Sequence, residues 1–339
     1  MSWNSLPEIA NAMVKKGRGI LAADESTPTC KKRFDSIELE CTEENRNAYR
    51  DMLFTTQGME EFISGVILFD ETIRQSTLND RVPFPEYLTN LNVIPGIKVD
   101  KGAHPLSGSD GEKVTEGLDG LNDRLKEYYQ LGARFAKWRA VITIGESEPS
   151  SACVSANAHA LARYAALCQE NDIVPIVEPE ILMDGTHTIE ESFVLTEEVL
   201  HTVFYELYGQ GVLYEGMVLK PNMVLSGYKS SEQAIVEDVA EMTVTALKRS
   251  VPAAVPGIAF LSGGQSDEDA TAHLNAMNQI LGENSPWNLT YSFGRALQAP
   301  ALKAWDGEAG NVSIAQEAFY KRAKLNSLAT KGGYSPDME

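Results

Sequence analysis

Eight short apolar runs alternating with helix-period segments constrain this 339-residue chain more than any other feature. The runs fall at residues 19–23, 63–69, 93–99, 133–138, 173–177, 217–220, 257–261 and 288–293. Their near-continuous apolar character implies strands covered on both faces, as in a parallel sheet. Helical periodicity marks 6–16, 42–57, 118–129, 151–169, 190–208, 231–249, 267–281 and 312–328. Polar, glycine- or proline-punctuated stretches at 72–92 and 101–117 read as loops, the first with a short helical piece. No linker, repeat or shift in composition divides the chain. The pattern predicts one α/β domain over 1–339, a (β/α)8 barrel of the TIM type, with 330–339 as a frayed, flexible tail. A doubly wound open sheet is the alternative, but it wants a glycine-rich turn after the first strand. Ala22-Ala23-Asp24-Glu25-Ser26 is not one.

In such a barrel the working end is the C-terminal end of the strands. Read in order, the tips are Asp24, Asp70, Lys98, Lys137, Glu178, Lys220, Ser262 and Arg295. Strand ends are ordinarily Gly, Asn, Ser or Pro, so ionisable residues at nearly every tip need a reason. Lys220 is the sharpest case. Its strand is apolar, and Pro221 has no N–H to extend the ladder, so an ammonium group is left at a buried tip. A desolvated lysine gives up its proton more readily and can then attack a carbonyl to form a Schiff base. A lysine that merely snorkels at a strand end would look the same in this stretch alone.

Side-chain alternation sharpens the picture. Lys137 and Arg139 share one face of their strand, as do Glu178 and Glu180 on the next. If both faces point inward, two cations stand beside two carboxylates, with Lys220 arriving next to them. Lys137 then raises the local positive potential that favours a neutral Lys220, while Glu178 and Glu180 move protons. An ion-pair network that only plugs the barrel mouth would gather the same charges.

A second signal concerns phosphate. The turn Ser262-Gly263-Gly264 follows the seventh strand and Gly294-Arg295 the eighth, where barrels build phosphate sites from glycine amides and a helix N-terminus. Lys98, Arg33 and Arg139 could serve a second phosphate. There is no GxxxxGK loop and no GxGxxG after a strand, so no nucleotide site is expected. Five scattered histidines form no HExxH and no paired His–carboxylate set, so no metal and no other cofactor is expected. Four cysteines, Cys30, Cys41, Cys153 and Cys168, lack CxxC spacing and read as reduced thiols.

The net charge of −19 argues against nucleic acid or an anionic membrane as partner. An anionic substrate must therefore be captured by a local cationic cluster. Residues 1–14 lack a basic stretch followed by an apolar one, and no apolar run approaches the ~18 residues a membrane span needs. A cytoplasmic protein without membrane insertion is expected.

Seven segments together resemble class I fructose-bisphosphate aldolase: residues 19–27, 95–102, 135–139, 173–181, 219–223, 261–266 and 294–298. They occur in the family's order and span nearly the whole chain. The resemblance implies a metal-independent lyase that cleaves fructose 1,6-bisphosphate reversibly in glycolysis and gluconeogenesis, usually as a homotetramer. By resemblance Lys220 is the Schiff-base lysine and Glu178 the main general acid/base, assisted by Glu180 and Lys137. Asp24 takes the proton of the C4 hydroxyl. Ser262, Gly263, Gly264, Gly294 and Arg295 hold the C1 phosphate, and Ser26, Lys98 and Arg139 lie near the C6 phosphate, with Arg33 at the mouth. Two departures stand out. The family's longer C-terminal tail ends in a tyrosine that helps protonate the enamine, whereas here only Tyr334 is available, close to the end at Glu339. Pro28 and Thr29 replace small residues and a serine near the C6 phosphate, which leaves room for a seven-carbon bisphosphate. A related Schiff-base aldolase or transaldolase on another sugar phosphate, and an additional scaffold role with protein partners, are the alternatives.

Overall fold

A computed structural model describes residues 5–146 and 148–339. Ten strands occur among them: β1 (Gly19–Ala22), β2 (Ile63–Leu68), β3 (Ile94–Lys98), β4 (Ala103–Pro105), β5 (Lys113–Thr115), β6 (Phe135–Ile142), β7 (Val174–Ile181), β8 (Val218–Leu219), β9 (Gly257–Phe260) and β10 (Asn288–Phe293). Eight close a barrel in the order β1-β2-β3-β6-β7-β8-β9-β10 and back to β1. Every pairing in the barrel is parallel. The (β/α)8 expectation therefore holds. The remaining two strands, β4 and β5, form an antiparallel hairpin in the stretch read as loop.

Alternation along the strands sorts side chains into two cores. Leu21, Leu68, Trp138, Val177, Leu219 and Phe260 point outward into the shell between strands and helices. Ile20, Ala22, Ile67, Ile94, Phe135, Ile176, Val218 and Ala259 fill the barrel interior. The lower opening is closed by the helix Leu6–Met13, capped by Ser5, whose Ile9, Ala10 and Met13 pack into that interior core. Phe135 is the largest interior ring, and it decides a neighbouring residue type. A Cβ on Gly96 of β3 would collide with that ring, so glycine is required there.

Several boundaries moved. β6 and β7 run to Ile142 and Ile181, so Arg139, Glu178 and Glu180 lie within strands rather than beyond their tips. β8 is only two residues long, although the Lys220 N–H still bonds to Val177 O at 2.8 Å before Pro221 ends the pairing. Three helices were not foreseen, Thr27–Phe34, the single turn Asp70–Ile73 and Arg295–Trp305. The tail expected to fray is packed down. Tyr334 is buried, its N–H bonds to Asn275 Oδ1, and Arg322 pairs with Glu339 at 2.6 Å.

Candidate active site

The C-terminal end of the barrel opens into a cavity of about 560 Å³, and seven of the eight charged or polar tips line it. The exception is Asp70. In β2 the interior residue is Ile67, so Asp70 falls on the outward parity. There it accepts hydrogen bonds from Arg74 and Tyr128 outside the cavity. Alternation excludes it by the same rule that brings Lys137 and Glu178 inside.

Four strands contribute the centre. Asp24 leaves β1, Lys137 stands on β6, Glu178 on β7, and Lys220 follows β8. Lys137 Nζ lies 2.7 Å from Asp24 Oδ2 and 3.2 Å from Glu178 Oε2. Lys220 Nζ lies 3.0 Å from Glu178 Oε1. Glu178 thus stands between the two lysines and gives each one oxygen. The sequence argument set Lys137 against Lys220 as like charges; the structure interposes a carboxylate. Lys137, Glu178 and Lys220 are each 3–4% exposed, so solvent screens these contacts little.

Charge balance here is strongly coupled. Burial alone would raise the Asp24 carboxyl, but the ammonium groups of Lys137 and then Lys220 hold it well below the usual carboxylate range. Glu178 is lowered in the same way, against its own burial, by Lys137 and Lys220. Burial pushes the Lys137 ammonium towards neutrality, and Asp24 and Glu178 overrule it, leaving its pKa raised. The centre rests with both carboxylates ionised.

Cations flank it on two sides. On β3 and β6, Lys98 and Arg139 line the cavity, and each is held by an acid. Lys98 Nζ reaches Asp100 Oδ1 at 2.7 Å, and Arg139 Nε pairs closely with Glu180 Oε2. Arg33 lines the mouth from the helix Thr27–Phe34, pinned at 2.7 Å by buried Glu25, which also takes Arg50 at 2.7 Å. Ser26 caps the start of that helix, and its hydroxyl is 3.2 Å from Thr29 Oγ1. Pro28 is harmless in the helix's first turn, where no backbone N–H partner is needed.

On the far side, after β9 and β10, lie Ser262, Gly263, Gly264, Gly294 and Arg295. Gly263 and Gly264 adopt φ of +55° and +96°, conformations that favour glycine. Arg295 opens the helix Arg295–Trp305 with Gly294 as its cap, so a helix N-terminus faces the cavity. In the strand order, β3 and β6 are diametrically opposite β9 and β10. Two sets of basic and glycine-rich residues therefore stand at opposite edges of the cavity, with Lys220, Glu178 and Asp24 between them.

Sequence reasoning missed Asp100 and Glu25, the acids that hold Lys98 and Arg33. It also missed Asn222, whose Oδ1 accepts the Ile181 N–H at 2.9 Å and ties the chain after Lys220 to the end of β7. All three sit one or two residues from residues singled out, but their partners lie in other segments or only close in the fold.

The family profile "Fructose-bisphosphate aldolase class-I" matches residues 5–339. The "Probable fructose-bisphosphate aldolase class 1" of Xanthomonas axonopodis pv. citri is 59% identical over 333 residues, covering 98% of this chain and 99% of that protein. "Fructose-bisphosphate aldolase 4, cytosolic" of Arabidopsis thaliana is 55% identical, covering 98% of this chain and 84% of its own length. A solved structure of the fructose-bisphosphate aldolase from Plasmodium falciparum, in complex with TRAP and a small-molecule inhibitor, superposes with a TM-score of 0.95 at 53% identity. It covers 97% of this chain and 95% of that one. With the family profile matched over residues 5–339 and this similarity along its length, the chain belongs to the class I fructose-bisphosphate aldolase family.

Proposed function

We propose that this chain carries out its family's reaction, the reversible cleavage of fructose 1,6-bisphosphate to dihydroxyacetone phosphate and glyceraldehyde 3-phosphate, with Lys220 as the imine-forming residue. The observation that carries the reading is the position of Lys220, buried at a strand tip, 3.0 Å from Glu178 and between the cationic set on β3 and β6 and the one after β9 and β10. A linear sugar with a phosphate at each end fits that arrangement. Ser262, Gly263, Gly264, Gly294 and Arg295 take the C1 phosphate, while Lys98, Arg139 and Ser26 take the C6 phosphate, with Arg33 at the mouth beside Gly294.

The chemistry follows from the neighbours. Lys220 Nζ passes a proton to Glu178 and attacks the C2 carbonyl; loss of water, with a proton returned by Glu178, leaves a protonated imine. Asp24, kept ionised by Lys137, accepts the C4 hydroxyl proton as the C3–C4 bond breaks. The bonding electrons flow into the imine, giving the enamine of dihydroxyacetone phosphate and releasing the aldehyde. Protonation at C3 and hydrolysis of the imine complete the turnover. Glu180 fixes Arg139 and so acts through it. Lys137 supplies the positive field that keeps Asp24 and Glu178 ionised until each is needed.

We also propose a cytoplasmic homotetramer of one domain per chain. Tyr205 and Tyr208, 75% and 78% exposed on the helix Ile189–Gly209, support an interface on that outer face. Relatives named cytosolic support the compartment, and no helix of the described residues is long and apolar enough to cross a membrane.

The test is borohydride reduction in the presence of dihydroxyacetone phosphate, followed by peptide mass spectrometry. A stable adduct on Lys220 is expected. No adduct, or one on another lysine, overturns the assignment.

A further inference from the structure

Three side chains outside the chemistry above grip the turn Ser262-Gly263-Gly264, which follows β9. Two adjacent glycines at positive φ give this turn wide conformational freedom in the absence of other contacts. The first grip comes from below. Gln265 donates to Ser262 O twice, from its backbone N–H and from its side-chain Nε2, both at 3.0 Å. That fixes the amide orientation, so Oε1 is the acceptor for His273 Nδ1 at 2.6 Å. His273 is buried on the helix Asp267–Leu281, and burial pushes its imidazole down to about 4. It is therefore neutral near pH 7 and gives its single N–H to Gln265.

The second grip comes from the side. The hydroxyl of Tyr228 donates to Gly263 O at 2.5 Å. A Cβ on Gly264 would collide with that same hydroxyl, so the tyrosine closes tightly on the turn. Tyr228 is itself tethered. Gly227 N, Tyr228 N and Lys229 N bond to His187 O, Met183 O and Gly185 O at 2.9, 2.9 and 2.8 Å, tying its loop to the segment after β7. The carbonyls of Ser262 and Gly263 are thus engaged by protein donors. Among the described residues the amides of Gly263 and Gly264 make no hydrogen bond, and both residues line the cavity.

We propose that Tyr228 and the Gln265–His273 pair are positioning residues that hold this turn ready for a phosphate, and so set affinity for the phosphorylated end of the substrate. The proposal rests on the reading that the turn and Arg295 receive the C1 phosphate. A turn already held in its binding form spends none of the interaction on ordering itself. The loss of one such hydrogen bond corresponds to about two- to tenfold in affinity.

The experiment measures kcat and KM for fructose 1,6-bisphosphate and fructose 1-phosphate in wild type, Tyr228→Phe, His273→Leu, His273→Asn and Arg295→Ala. Expected is a KM raised about fivefold by Tyr228→Phe and His273→Leu, by the same factor for both substrates, with kcat within about twofold. His273→Asn, which can still donate to Gln265, should recover most of the loss. Tyr228 is half exposed, so Tyr228→Phe carries the test even if a His273 variant folds poorly. Unchanged KM in Tyr228→Phe while Arg295→Ala raises KM overturns the proposal and leaves the phosphate reading standing. So does a loss confined to kcat. Unchanged KM in Arg295→Ala overturns the phosphate reading, and the proposal with it.

Discussion

Two residues separate an oily barrel from an ionic one. On β6 the inward side chains run from Phe135 to Lys137, on β7 from Ile176 to Glu178, and from Val218 on β8 to Lys220 just beyond it. The lower layer is sealed by the helix Leu6–Met13, and among the described residues no buried charged side chain lies in it. The upper layer is as deeply buried at Lys137, Glu178 and Lys220, yet holds little else but charge. Burial stabilises the first, where each large side chain contributes roughly 1.5–3 kcal/mol. In the second each desolvated ion costs several kcal/mol, and the charged state persists only because the ion pairs offset that cost. One end is held by apolar burial, and the other by mutual pairing. A β-strand can change role within a single inward step because alternation fixes direction while the residue type is free.

The largest effects should separate the two layers cleanly. Lys220→Met should lower cleavage by at least about 10⁴-fold, since it removes the amine proposed to form the imine. Its stability should shift by less than ~2 kcal/mol, because Glu178 keeps Lys137 as partner and a buried charge is removed. Phe135→Ala should do the reverse. A cavity beside Gly96 costs about 3–5 kcal/mol, with kcat per folded molecule nearly unchanged. Thermal unfolding and steady-state kinetics on the same samples read both. A folded Phe135→Ala protein with a large loss of kcat would show that the layers are coupled, and would break the comparison.

A smaller effect follows from pH. Asp24 and Glu178 have folded-state pKa values below their ordinary 3.8 and 4.5. Their stabilisation is therefore complete above about pH 4.5 and is lost as pH falls through and below that range. Lys137 is raised above its ordinary 10.5, so its contribution is complete below that pH and is lost as pH rises beyond it. The ionic layer is at full strength between these limits, while the apolar layer has no titrating group. Lys137→Met removes the largest attractive charge acting on Asp24 and Glu178. Its unfolding temperature should accordingly fall less steeply than that of wild type between pH 5 and 3, taken as ordinary carboxylate territory. Parallel curves would mean that the carboxylates are not held by Lys137.

The sequence displays this division unevenly, for physical reasons. Strands whose both faces are covered read as apolar runs, so all eight barrel strands were visible. An ionisable residue at an inward position stands out against them, so Lys137, Glu178 and Lys220 were visible too. Asp70 shows that a charged tip is informative only with its parity. The helix Thr27–Phe34 was hidden because only Cys30 and Phe34 are buried in it, too few to display a period. The helix Arg295–Trp305 was hidden by Pro300 in its interior. The hairpin of β4 and β5 has a mostly exposed first strand and so no apolar run. Asp100 and Glu25 have ordinary loop-like settings in sequence; Asp100 turns back onto Lys98 two residues earlier, while Glu25 meets Arg33 and Arg50 only in the fold.

The smallest expected effect concerns the tail, which lies outside the layers being compared. Of the two roles open to Tyr334, as a substitute for the family's C-terminal tyrosine or as a structural residue, the geometry favours the second. Its hydroxyl donates to Glu339 Oε1 at 2.8 Å, burial and that carboxylate push its pKa up to about 12, and the ring does not line the cavity. Glu339 is held in turn by Arg322, whose other nitrogen bonds to Thr271 Oγ1 at 2.8 Å on the helix Asp267–Leu281. Tyr334→Phe should lower stability by about 1 kcal/mol through one lost hydrogen bond and leave kcat within about twofold. On the proposed mechanism the enamine is then protonated from within the cavity, where Asp24 carries the proton taken from the C4 hydroxyl. A tenfold or greater fall in kcat, with exchange of the dihydroxyacetone phosphate C3 proton slowed to match, would show instead that the tail leaves its seat and enters the mouth. The ionic layer would then be completed by a residue from outside it.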